Sequence, residues 1–248
     1  MEWREDKGVR WLEADLGGAR AAFPSRLGGL SPAPFDSLNL GLLTDDAEIN
    51  VAGNLTLLAA AVGVARDRIA CGRQVHGTQL CAAGEAPEEA DGQILTEPGD
   101  AALVFTADCL PVALRGPGGV AMLHCGWRGL AGGIVAKGAA AVGATSAAIG
   151  PGIGPCCFEV GPEVIAAFAG LGDGIASDRP GAGGSAPRPG HAFLDLVEIA
   201  TRLLRAGGVE RVEAAGLCTS CEAELFFSHR RDAGATGRQG GLAWIEAG

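Results

Sequence analysis

The chain has no tyrosine, two lysines (Lys7 and Lys137) and four histidines among 248 residues. Without tyrosine, any chemistry that needs a phenol is absent or carried by another group. Four histidines are too few for the full ligand set of a multicopper oxidase. Basic residues number 19 against 29 acidic ones, a net charge of −10, and a phosphate backbone calls for a basic face, so nucleic acid is excluded as the main partner. No apolar run approaches the length of a membrane span. The start, Met1-Glu2-Trp3-Arg4-Glu5-Asp6, is charged and carries no apolar signal segment, which predicts a cytoplasmic protein with no membrane partner. In that compartment the 8 cysteines are reduced thiols, ligands or core residues rather than a disulfide frame.

What the chain does have is a hydrophobic content of 48% with 19% charge, enough for a real core. Short apolar runs bounded by turns predict strands at 20–23, 69–75, 79–83, 101–105, 111–114, 120–123, 146–149, 212–217 and 242–245. Asp45 and Glu48 resemble a capping box, followed by Val51, Leu55, Leu58 and Val62 on one helical face and a stop at Gly63. Further helices are predicted over 128–142, 163–168 and 195–205. Residues 85–91 read as an acidic loop, and the Gly- and Pro-rich stretch 170–190 as a mobile one. No repeat or linker divides the chain, so one domain over 1–248 is expected.

Three residues carry the chemistry. His76 lies in Gln74-Val75-His76-Gly77, Cys109 in Thr106-Ala107-Asp108-Cys109-Leu110-Pro111, and His124 in His124-Cys125-Gly126-Trp127-Arg128-Gly129. Each stands at the end of an apolar run, so a sheet can deliver all three to one rim. Two imidazoles and a thiolate suit Zn²⁺ with an open fourth position, the catalytic rather than the structural pattern. The same residues also suit a nucleophilic pair, Cys109 or Cys125 beside His124, and one thiolate cannot serve both roles at once. Asp108 offers a carboxylate to support a ligand or to move protons. Arg128 opens a helix after a strand and reads either as an anion site or as a surface residue beside Trp127. Arg230, Arg231 and Arg238 follow the apolar pair Phe226-Phe227 and suit phosphate or carboxylate forks. Cys156-Cys157 and Cys218-Thr219-Ser220-Cys221 supply four thiols; adjacency of the first two argues for small core or turn residues over a second zinc centre.

These stretches, with Ser25-Arg26-Leu27-Gly28-Gly29, Ser37-Leu38-Asn39-Leu40, Pro155-Cys156-Cys157-Phe158-Glu159-Val160-Gly161, Arg230-Arg231 and Thr236-Gly237-Arg238, run in order along nearly the whole chain. In this the chain resembles the bacterial laccase-domain family, described both as polyphenol oxidases and as purine nucleoside phosphorylases. The resemblance implies a single α/β domain with two β-sheets sandwiched between helices, a four-layer α/β/β/α arrangement. It implies His76, Cys109 and His124 as ligands to Zn²⁺, with copper the lesser alternative. It implies phosphorolysis of adenosine, inosine and S-methyl-5′-thioadenosine, with adenosine deaminase as a side activity; some members are credited with phenol oxidation and others with editing peptidoglycan precursors, for which a Cys-dependent hydrolase is the matching mechanism. On this basis Asp108, Cys109 and His124 are the expected catalytic residues, and Arg26, Asn39, Arg128 and Arg230 the expected contacts to nucleoside and phosphate. A monomer is expected. The chain departs from the family at Cys125, Phe158 and His229, where Ala, Tyr and Tyr are usual, and at Leu55, where an Arg commonly follows Asn54. The departures leave the three expected ligands intact and bear on the substrate pocket more than on the chemistry.

Overall fold

Period-two alternation along the apolar strands decides the architecture. The computed structural model describes residues 1–85, 89–179 and 182–246. The chain runs β1 (Glu2–Asp6), β2 (Val9–Asp15), β3 (Ala19–Pro24), α1 (Glu48–Val62), β4 (Ile69–Ala70), β5 (Leu80–Ala82) and β6 (Gly92–Leu95). It continues through β7 (Ala101–Thr106), β8 (Leu110–Gly116), β9 (Gly119–Cys125), α2 (Trp127–Ala131), α3 (Ile134–Val142) and β10 (Ser146–Ile149). It finishes with β11 (Glu159–Val160), α4 (Pro162–Ala167), β12 (Ala176–Ser177), β13 (Ala192–Leu194), α5 (Leu196–Ala206), β14 (Arg211–Ala214) and β15 (Gln239–Ile245).

Two six-stranded sheets form, ordered β1-β2-β3-β15-β7-β4 and β14-β10-β8-β9-β6-β5, with a small β11-β13-β12 sheet beside them. Successive side chains on a strand face opposite ways, so each strand serves two cores. In β9, Val120 and Met122 face the first sheet, whereas Ala121, Leu123 and Cys125 face α3 and α5. In β7, Ala102 and Val104 join the inter-sheet core, whereas Leu103 packs with Val51, Leu55 and Leu58 of α1. Three apolar layers therefore separate four structural ones, helix, sheet, sheet, helix, as the resemblance implied. A fully buried side chain such as Leu58 or Leu123 contributes about 1.5–3 kcal/mol by leaving water.

Several boundaries differ from the sequence reading, each for a local reason. Helix α1 begins at Glu48 with Ala47 as its cap, so Asp45 caps nothing; Asp46 instead accepts from Ala47 N at 2.8 Å and Asn50 Nδ2 at 3.1 Å. The helix expected over 128–142 is two helices, because Gly133 takes a left-handed φ of 88° between them. Strand pairing at 69–75 and 79–83 shrinks to Ile69–Ala70 and Leu80–Ala82. The N–H groups of Val75, His76 and Gly77 go to the Asp91 carboxylate instead of a ladder. The β1–β2 hairpin was not expected, since β1 is almost wholly exposed and too polar to read as a strand. The loops expected over 85–91 and 170–190 include 86–88 and 180–181, which lie outside the described residues; within the second, Ala176–Ser177 pair with β13.

Candidate metal centre

The register of two strands and one glycine build the site. In the β8–β9 ladder Leu110 faces Cys125 and Pro111 faces His124. Cys109 thus lies just beyond the end of that ladder, beside Gly126. A Cβ at Gly126 would stand 2.9 Å from Cys109 Sγ and 3.0 Å from His76 Cδ2, so only glycine leaves room there. Asp108 turns the chain into β8 with φ 92°, and His76 sits at φ 60°. Left-handed backbone at non-glycine residues costs energy and concentrates at functional sites.

The three side chains converge. Donor atoms of His76, Cys109 and His124 all lie within 4.8 Å of one another. The two imidazole rings meet edge-on, centroids 4.8 Å apart. Asp91, fully buried, holds this arrangement. Its Oδ1 accepts from His124 Nδ1 at 2.8 Å and from His76 N at 2.9 Å; its Oδ2 accepts from Gly77 N at 2.7 Å and Val75 N at 3.1 Å. An ionised carboxylate only accepts, so Nδ1 of His124 keeps its hydrogen and Nε2 is the nitrogen turned to the shared space, where a bound metal ion would take the place of its proton. Burial opposes charge on both partners, yet mutual attraction wins: the imidazoles hold the Cys109 thiol down at about 6, and Cys109 with Asp91 raises His124 to about 9. A thiolate and two imidazoles, one of them braced by a carboxylate, fit a divalent metal ion.

The donors lie in a cavity of about 710 Å³ whose walls include Gln74, Phe105, Phe158, His229, Arg230 and Arg238. That volume falls within the range of about 300–1,000 Å³ usual for small-molecule sites. Gln74 is clamped to Phe105, donating to its carbonyl and accepting from its N–H, both at 2.7 Å, which fixes the segment leading to His76. Asp108 also lines the cavity. Its Oδ1 accepts from Thr219 Oγ1 and its Oδ2 from Arg230 N, each at 2.7 Å, so it tethers two distant loops as well as facing the site.

The expected substrate contacts are distributed unevenly. Arg230 reaches the cavity, stacked on Phe158 and donating to Glu159 O at 2.9 Å. Arg26, Asn39 and Arg128 do not line it. Arg26 is taken up by Asp36 and the carbonyl of Ala223 and packs on Phe227. Arg128 is exposed and lies over Trp127. Asn39 is fully buried; its Oδ1 accepts from Gly41 N at 3.0 Å and Arg238 N at 2.8 Å, so it positions cavity residues without reaching the cavity. Two contributors were missed in the sequence. Asp91 was read as part of an acidic loop, and Gln74 only as part of a motif. Arg238, grouped with the terminal arginines, is half-buried at the cavity wall, and burial lowers its guanidinium below the usual value.

Fold and site together define a four-layer α/β protein whose inter-strand rim carries a His–Cys–His centre inside a small-molecule cavity. A family model described as multi-copper polyphenol oxidoreductase laccase matches residues 20–246, and the chain belongs to that family. It is similar to a purine nucleoside phosphorylase of Deinococcus radiodurans, 40% identical over 230 residues that cover 88% of this chain and 85% of that one. It is likewise similar to the purine nucleoside phosphorylase YfiH of Escherichia coli K12, 35% identical with 98% and 97% covered. Among solved structures, YlmD from Geobacillus stearothermophilus superimposes with a TM-score of 0.86 at 32% identity, covering 98% of both chains. No described helix is long and apolar enough to cross a membrane.

Proposed function

We propose that this chain is a zinc-dependent purine nucleoside phosphorylase acting on adenosine, inosine and S-methyl-5′-thioadenosine, with adenosine deamination as a side activity. One observation carries the reading: three zinc-type donors converge inside a cavity of nucleoside size lined by three arginines, Arg73, Arg230 and Arg238. The names of the similar proteins support it. His76, Cys109 and His124 would hold the ion, with Asp91 fixing the tautomer of His124. When bound, zinc supplies Lewis acidity at the cavity wall.

The remaining work falls to the chain. Arg230 and Arg238 bind and orient phosphate through their guanidinium forks. Phe105 and Phe158 give the purine an apolar surface. Phosphorolysis forms a bond from a phosphate oxygen to C1′ as the C1′–N bond breaks; the purine leaves with the electron pair and takes up a proton. Asp108 holds and moves that proton at its carboxylate, whose two oxygens are fixed by Thr219 and the Arg230 backbone. In deamination, water adds at C6 of adenosine and ammonia leaves, and the same carboxylate transfers the protons.

Charge-assisted hydrogen bonds contribute about 1.5–3 kcal/mol each, so Arg238→Ala or Arg230→Ala should raise the phosphate KM roughly 10- to 150-fold. The assay is base release from adenosine at varied phosphate. An unchanged phosphate dependence in both variants contradicts the assignment.

A second reading has its own observation. Cys109, His124 and Asp91 also form a thiol–imidazole–carboxylate relay, the geometry of a cysteine hydrolase acting on amides such as peptidoglycan precursors. Alkylation of Cys109 separates the two: under the zinc reading, added zinc protects the thiol and no peptide is cleaved. Copper-dependent oxidation of phenols is disfavoured, because only His76 and His124 of the four histidines join the centre.

A further inference from the structure

A second constellation lies outside the centre described above. The sulfur atoms of Cys156, Cys157, Cys218 and Cys221 all lie within 4.8 Å of one another. Adjacency of the first pair argued in the sequence against a shared ligand role, and the fold overturns that argument. Residues 154–158 form a tight turn, with Cys157 N and Phe158 N both donating to Gly154 O at 3.0 Å. This turn carries both sulfurs to the same side, where each meets Cys221 Sγ at 3.5 Å.

We propose that these four cysteines bind one tetrahedral zinc ion in a structural site distinct from the His–Cys–His centre.

Spacing decides between the alternatives. With Zn–S bonds of about 2.3 Å, the edge of a tetrahedral thiolate site is about 3.8 Å, close to the separations found here. A disulfide needs sulfurs about 2.05 Å apart, and all four cysteines are free. Cys218-Thr219-Ser220-Cys221 has the two-residue spacing usual for one half of a zinc-thiolate site. Gly154 N donates to Cys218 Sγ at 3.2 Å, the kind of N–H to sulfur bond that steadies a ligating thiolate. All four protein positions are filled by cysteine, which closes the site and marks it as structural.

The consequence reaches the cavity. The ion would tie the 154–158 turn, which carries Phe158, to the 218–221 turn, which carries Thr219. Thr219 Oγ1 donates to Asp108 at 2.7 Å, and Arg230 Nη1 donates to Cys157 O at 3.5 Å. The site therefore clips together two loops that fix cavity residues and are otherwise far apart in the chain.

The test uses the full chain and does not depend on catalysis. Elemental analysis of protein produced with zinc should give about two ions per chain in the wild type and about one in either Cys218→Ser/Cys221→Ser or His76→Ala/His124→Ala. The histidine variant, reconstituted with Co²⁺, should show the intense thiolate-to-cobalt absorption and tetrahedral ligand-field bands of a four-sulfur site. In the wild type, Cys156, Cys157, Cys218 and Cys221 should be alkylated by iodoacetamide only after chelation, a readout that does not require the serine variant to fold. Unchanged zinc content in the serine variant, no thiolate–cobalt band in the histidine variant, or a disulfide among these cysteines in freshly purified protein overturns the proposal. Because the histidine variant lacks the first centre, loss of the phosphorylase reading leaves this result untouched.

Discussion

At the scale of the residue, Asp91 does more for the centre than any side chain the sequence singled out except the ligands. It is fully buried and spends both oxygens on His124 and on three consecutive N–H groups around His76. Asp91→Asn keeps the shape and removes the charge, and outer partners of this kind are worth about 10–100-fold in metal affinity. Chelator competition should show zinc affinity falling by that factor; an unchanged affinity would remove Asp91 from the centre. Gly126 sets a steric condition. In Gly126→Ala the new methyl would meet Cys109 Sγ at 2.9 Å, so metal content should fall while thermal unfolding stays cooperative. The convergence of His76, Cys109 and His124 was legible because each stands at the end of an apolar run and the resemblance grouped them. Asp91 was not, because it lies in an acidic stretch and its partner is 33 positions away. Side-chain destinations were also out of reach: nothing local in the sequence says that Arg26 is spent on Asp36 while Arg238 faces the cavity.

At the scale of the element, strands were easier to read than their edges. The apolar runs at β7, β8, β9 and β10 are buried on both faces, so their hydrophobicity is continuous and their ends are abrupt. β1 gives no such signal, being an exposed edge strand of charged residues. Helix α1 shows how a stripe becomes a layer: Val51, Leu55 and Leu58 close the outer face of the first sheet. Leu58→Ala leaves a hole at a fully buried position and should cost about 2–5 kcal/mol in chemical denaturation. The cavity lies elsewhere, so turnover per folded molecule should be unchanged; a stability loss well under 1 kcal/mol would mean that α1 is not packed as described.

At the scale of the whole molecule, the layered fold and the family are settled together, since the matching stretches run in order through strands, turns and cavity loops. The four-layer arrangement itself was legible through that resemblance; from composition and periodicity alone the reading went no further than an α/β chain. Acid should unfold the molecule in a defined window. Asp46 and Asp232 are held below the ordinary carboxylate value of 3.8: burial opposes this in both, but hydrogen bonds from Ser31, Asn39, Asn50 and Ala47 prevail for Asp46, and Arg231 with Thr236 for Asp232. Groups whose folded pKa is depressed add stability above the unfolded value and lose it as pH falls through the folded one. Stability should therefore be level above about pH 5 and decline below about pH 4, with a shallower decline in Asp46→Asn.

The most direct test of the central claim is phosphate-dependent base release from adenosine by zinc-loaded protein, beside His76→Ala and Cys109→Ala with their zinc content determined on the same samples. The account predicts ribose 1-phosphate and adenine from the wild type, and loss of both zinc from this centre and turnover in each variant. Full turnover in a variant that holds no ion at His76, Cys109 and His124 would contradict it.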